Sequence, residues 1–120
     1  MHPVINDVET GACRHHPDLQ PQRFSASKTA VVAAVEAVAR RQKRWRRLKL
    51  DLSTSTLTAV AVTKLVRFRD DVTIRVEEDG DDVVVNMRSA SRLGKGDFGA
   101  NARRIRTFQA ALAAQLGGHS

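Results

Sequence analysis

Cysteine occurs once, at Cys13, so no intrachain disulfide can form and nothing marks an oxidising compartment. Tyrosine is absent and aromatics total 4%, which leaves the core to Val, Leu, Ala and Ile around Phe24, Phe68, Phe98, Phe108 and Trp45. No apolar run approaches the roughly 18 residues of a membrane span. The first ten residues contain Asp7 and Glu9 and lack the basic head and apolar stretch of a signal peptide. As it stands, the chain is expected in the cytoplasm. What remains is ordinary globular composition, 42% hydrophobic and 28% charged over 120 residues, with room for one core.

Charge is present in excess, +7 overall, and it is segmented. Nine basic residues between Arg23 and Lys49 face only Glu36, and six between Arg88 and Arg106 face only Asp97. Between them, from Asp70 to Asp82, seven acidic residues face only Arg75. Segments of opposite sign can neutralise one another in a fold, which weakens any argument from total charge to a polyanionic partner.

The three prolines fall at Pro3, Pro17 and Pro21, and residues 1–24 show no sustained period, so they read as an irregular leader that packs on a domain spanning 25–118. Ser25 or Ser27 can cap a helix carrying Val31, Val32, Val35 and Val38. Leu48, Leu50 and Leu52 alternate with Arg47, Lys49 and Asp51 as in a half-buried strand, and residues 53–56 supply a turn. A second strand over 57–63 has two faces of similar polarity. Val72, Ile74 and Val76 mark a third, Asp79-Gly80 a turn, and Val83, Val85 and Met87 a fourth. After the break at Gly94 and Gly96, Asp97 can cap a helix with Ala102, Ile105, Phe108, Leu112 and Leu116 at helical spacing. The order α-β-β-β-β-α predicts an α+β two-layer sandwich, a four-stranded antiparallel meander covered on one face by two helices.

Residues 88–105 read RSASRLGKGDFGANARRI, residues 68–76 read FRDDVTIRV, and INDVET lies near the start. With the Pro-x-x-Gln-Pro stretch ending at Pro21, these resemble, in order, the signatures of the bacterial and plastid family catalogued as domain of unknown function 1499. The resemblance covers nearly the whole chain. It implies a fold and no activity. It also implies an envelope setting, since members of that family are often exported or membrane-attached, and for this chain that would require a further segment.

Three groups of residues are candidates for function. The first is Asp7, Arg88, Ser89, Ser91, Arg92, Asp97, Asn101 and Arg104. Asp97, Asn101 and Arg104 share one stripe of the last helix, and with the preceding loop they read either as an anion site or as a polar network that holds the helix in place. The second is a partner face of Val60, Val62 and Val84, apolar residues on the outward side of the sheet. The third is an anion patch of Arg40, Arg41, Lys43, Arg44, Arg46 and Arg47, which either grips phosphates or an anionic membrane surface or is a solvated helix end. Trp45, in its midst, is expected to close one end of the core. Asp70 and Asp71, adjacent on a strand, must point to opposite faces and cannot pair as acid and base.

Cys13, His15 and His16 lack a zinc-ligand spacing, and no histidine inside the predicted elements could serve as a base. No metal, cofactor or catalytic residue is therefore predicted. The expected function is a non-catalytic binding or assembly module, engaging a protein partner or a second copy. The alternative is a small-ligand or lipid-binding domain with a pocket between helices and sheet, lined by Ala59, Ala61 and valines. Nucleic-acid binding ranks third, because the predicted outer face has no aromatic residue to stack a base, and an enzyme ranks fourth.

Overall fold

The computed structural model describes residues 7–11, 19–63, 69–92 and 98–117. In chain order the elements are β1 (Asp7–Glu9), β2 (Gln22–Phe24), α1 (Lys28–Arg40), β3 (Trp45–Asp51), β4 (Thr56–Val62), β5 (Arg69–Asp79), β6 (Asp82–Ser91) and α2 (Phe98–Gln115). The fold is α+β, with an antiparallel sheet and two helices. The sheet has six strands rather than four. The meander β3-β4-β5-β6 is the expected one, and the stretch read as an irregular leader contributes β1 and β2, which both pair with β6. A strand edge left bare presents a row of unpaired N–H and C=O groups, and these two segments cover it. Thr10 bridges between them: its N–H donates to Met87 O (2.9 Å) and its Oγ1 accepts from Met87 N (3.0 Å).

Strict alternation decides which face each strand buries. Leu57, Ala59 and Ala61 of β4 point inward, resolving the ambiguity of that strand, together with Val72, Ile74 and Val76 of β5 and Val83, Val85 and Met87 of β6. Against them pack Val31, Ala34, Val35, Val38 and Ala39 of α1 and Ala102, Ile105, Phe108 and Leu112 of α2, all in one cluster with Val8, Leu19 and Phe24. Ser27 caps α1, its Oγ accepting from Ala30 N at 3.1 Å. Trp45 is buried and stacks on Phe108, with centroids 5.6 Å apart. Ala59 and Ala61 belong to this buried cluster.

The β5–β6 hairpin closes through Gly80 and Asp81 between the paired Asp79 and Asp82. Gly80 has φ 63° and nothing near a would-be Cβ, so backbone conformation alone favours glycine there. Strand β3 departs from simple alternation. Its pairing with β4 shifts between Arg46 and Lys49, Arg47 adopts φ 55°, and Leu52 falls in the turn, 75% exposed rather than inward. A bulge of this kind places two residues opposite one and turns the chain locally.

Asp97, Lys64, Phe68, Cys13 and all four histidines lie outside the described residues, and of Asp7 and Phe98 only the backbone is described. No helix among the described residues is long and apolar enough to cross a membrane.

Candidate ligand-binding site

The C-terminal end of β4 and the adjoining ends of β3, β5 and β6 carry polar residues on both faces. On the inner face, Asp70 precedes Val72 in the inward phase of β5, and Asp70 and Val72 pair with Ser91 and Ser89 of β6. Helix α2 lays Asn101 and Arg104, three residues apart, across these strands. Arg104 Nη1 meets Asp70 Oδ2 at 2.8 Å and donates to Asn101 Oδ1 (2.8 Å) and Ser89 Oγ (3.0 Å). Ser89 Oγ donates to Asn101 Oδ1 (2.6 Å), and Asn101 Nδ2 donates to Ser91 Oγ (3.1 Å). Asp70, Ser89 and Asn101 are all buried to 2% exposure or less. Asp70 Oδ1 is also buried and has no hydrogen-bond partner among the described residues, so there the carboxylate leans on its contact with Arg104.

Four of the first group of candidates thus meet: Ser89, Ser91, Asn101 and Arg104. Arg88 and Arg92 do not join them, because alternation turns Arg88 outward opposite Thr73 and Glu9, and Arg92 pairs with Asp71 on the outer side. Asp70 belongs to the network although it is not among those candidates; the phase set by Val72, Ile74 and Val76 is the signal that points it inward.

On the outer face a cavity of about 490 Å³ is lined by Arg46, Arg47, Val60, Val62, Arg69 and Arg92. The register builds it. Arg46 lies opposite Val60 and Val60 opposite Asp71, while Val62 lies opposite Arg69, and Arg92 N donates to Arg69 O at 3.0 Å. In an uninterrupted strand Arg46 and Arg47 would face opposite sides of the sheet. The bulge lets both line the same cavity, and it holds Arg47 in a left-handed conformation that costs a non-glycine residue about 1–2 kcal/mol.

Each arginine is held differently. Arg46 Nη1 donates to the carbonyls of Lys43 (2.8 Å) and Trp45 (3.3 Å). Arg92 chelates Asp71 Oδ1 through Nε (3.0 Å) and Nη2 (2.9 Å), a hydrogen bond and charge that push its pKa above the ordinary guanidinium value. Arg47 and Arg69 make no side-chain hydrogen bond or ion pair among the described residues. A second depression, about 150 Å³, lies along the sheet beside Glu9, Thr73, Arg75 and Asn86; there Arg75 has Glu9 at 3.8 Å as counter-charge.

The basic run is therefore divided. Arg40 pairs with Glu36 at 2.7 Å, Arg41 donates to Gln115 at 3.1 Å, and Lys43 and Arg44 are exposed; only Arg46 and Arg47 reach the cavity. The valine group is divided as well. Val60, at 8% exposure, is buried rather than a surface residue, Val62 is its half-buried neighbour, and Val84 sits opposite Glu77 and Arg23 at the other end of β6. Arg69 lies within the FRDDVTIRV stretch but is not among the candidate site residues. Among the described residues no group of His, Cys, Asp or Glu could hold a metal ion.

The family model for "Protein of unknown function (DUF1499)" matches residues 3–112. The chain belongs to that family. No curated protein matches this DUF1499 chain. Among solved structures, it is similar to the di-domain ARO/CYC BexL from the BE-7585A biosynthetic pathway, with a TM-score of 0.54 and 14% identity over 93% of the chain. The DUF1499 chain spans 44% of that protein, and at this identity the likeness is one of fold. CalU16 from Micromonospora echinospora aligns over 81% of this chain and 71% of its own, at 18% identity and a TM-score of 0.45.

Proposed function

We propose that this DUF1499 domain is a non-catalytic binding module that takes anionic ligands on the face of its sheet opposite α1 and α2. The observation that carries this is the cavity lined by four arginines, of which Arg92 alone pairs with a carboxylate, Asp71, among the described residues. Its volume falls in the roughly 300–1,000 Å³ range of small-molecule sites, and three of its guanidiniums, those of Arg46, Arg47 and Arg69, have no counter-charge among the described residues. Guanidiniums stay protonated at any working pH, so they suit recognition of an anion and cannot serve as base or nucleophile.

The buried Asp70–Arg104–Asn101–Ser89 cluster is read as structural. It joins α2 to the sheet, and its charges are turned toward one another. The alternative is a small-ligand or lipid pocket between helices and sheet, for which Ala59 and Ala61 of the buried cluster would be lining residues.

The test is a nitrogen–proton NMR titration of the chain with inorganic phosphate. Shifts clustered at the ends of β3, β4 and β5, lost in the Arg46→Ala/Arg69→Ala double variant and weakened by added salt, are the expected result. Shifts spread evenly over the surface, or unchanged in the double variant, would reject the site.

A further inference from the structure

The composition of the cavity narrows the ligand further. Three positive charges remain after Asp71 is set against Arg92, and they stand over Val60 and Val62 rather than over polar side chains. A carboxylate brings one negative charge and two oxygens. A phosphate monoester brings close to two charges and three terminal oxygens, which matches three arginines lining one cavity better. A bare phosphate would leave the valine wall uncovered, and the cavity is large enough for a substituent. The strained Arg47 bears on this too: glycine is the residue favoured at φ 55°, yet an arginine occupies it, and this conformation goes with Arg46 and Arg47 lining one cavity.

We propose that the cavity takes an organic phosphate monoester, its phosphate held by Arg46, Arg47 and Arg69 and its apolar substituent laid on Val60 and Val62. This rests on the anion-binding reading above and adds the class of ligand. Arg92, anchored by Asp71, forms the rim. The ester can be a soluble metabolite or the headgroup of a lipid; the chemistry recognised is the same.

Calorimetric titration of the full chain with hexyl phosphate, inorganic phosphate and hexanoate separates the possibilities, with sedimentation against phosphatidylcholine vesicles containing phosphatidic acid as a fourth arm. Hexyl phosphate is expected to bind one to one and about tenfold more tightly than either of the other two small anions, the effect of roughly two buried methylenes. Arg47→Gly is expected to lower that affinity by at least about tenfold, as loss of a charged hydrogen-bonding partner does, while the melting temperature stays level or rises because the backbone strain is relieved. Val62→Ser is expected to erase the preference for hexyl phosphate over inorganic phosphate and leave phosphate binding intact.

Hexyl phosphate binding without vesicle binding supports a soluble ester. Binding of both, each lost in Arg47→Gly, supports a lipid headgroup. Equal affinity for all three small anions overturns the ester inference and leaves the anion site standing. Vesicle binding without hexyl phosphate binding overturns the ester inference in favour of general surface attraction. No binding by any probe overturns both readings.

Discussion

Asp70 and Asp71 are neighbours in sequence, each faces an arginine at closely similar distance, and the two pairs belong to different physical regimes. Asp70 is turned inward to Arg104 at 2.8 Å, with side-chain exposures of 2% and 14%. Asp71 is turned outward to Arg92 at 2.9 Å, with exposures of 51% and 47%. A single step along β5 exchanges a desolvated pair that the fold depends on for a solvated one that it can spare. Four of the seven acidic residues in segment 70–82, Asp70, Asp71, Asp79 and Asp82, pair with Arg104, Arg92 and Arg23 rather than with Arg46 or Arg47. Among the described residues no carboxylate pairs with Arg46, Arg47 or Arg69, and Asp71 meets only Arg92 at the cavity's rim.

The strongest way to break the contrast is Arg104→Met. It strands the Asp70 carboxylate in the core with neither oxygen paired to a cation, and it removes a donor from Ser89 and Asn101. Loss of one partner of a buried pair costs about 3–5 kcal/mol. Urea denaturation should show a fall of that size, and the Asp70→Leu/Arg104→Met double variant should recover most of it by replacing the pair with packed apolar groups. A single-variant loss below about 1 kcal/mol would mean that the inner pair is no more important than the outer one.

Asp71→Ala makes the complementary cut. The exposed pair contributes about 0–1 kcal/mol, so the denaturation midpoint should barely move. Removing the one carboxylate paired beside the cavity should instead tighten phosphate binding several-fold at low salt, less so at high salt. Weaker binding in the variant would show that Asp71 orients Arg92 toward the ligand, and would move Arg92 from the rim into the site.

Much of this arrangement is readable from the chain, and the parts that are not share a cause. Strands β5 and β6 and both helices announce themselves because each repeats its period several times, whereas β4 is apolar on both faces and the alternation of β3 is broken by its bulge. Strands β1 and β2, three residues each, are too short to show one, and their role follows from the unpaired edge of β6 rather than from their own residues. The polar network is half visible: Asn101 and Arg104 share a helix stripe, while Asp70 is an acidic residue in an inward phase, which composition argues against until its cation is placed. The cavity is invisible in sequence. Its arginines come from β3, β5 and the end of β6, and the bulge that brings Arg47 to the same side lacks the glycine that marks such a site in other strands.

A third aspartate sharpens the comparison by removing arginine from it. Asp51 ends β3, and its Oδ1 accepts from Ser53 N at 3.0 Å and Ser53 Oγ at 2.6 Å. The hydroxyl bond, followed by the backbone bond, holds its pKa below the ordinary aspartate value although it is exposed. A carboxyl whose folded value is depressed stabilises the fold fully above its unfolded value, and loses that contribution as pH falls through the folded one. Asp51→Asn keeps an acceptor of the same shape and removes the charge. The stability difference between the two proteins should therefore be small and constant from neutral pH to about pH 5, then close as the solution is acidified further. Because no cation takes part, the difference should also resist salt better than that of the Asp71 variant. A gap that widened on acidification would mean that the turn prefers the protonated carboxyl, the reverse of what its two donors imply.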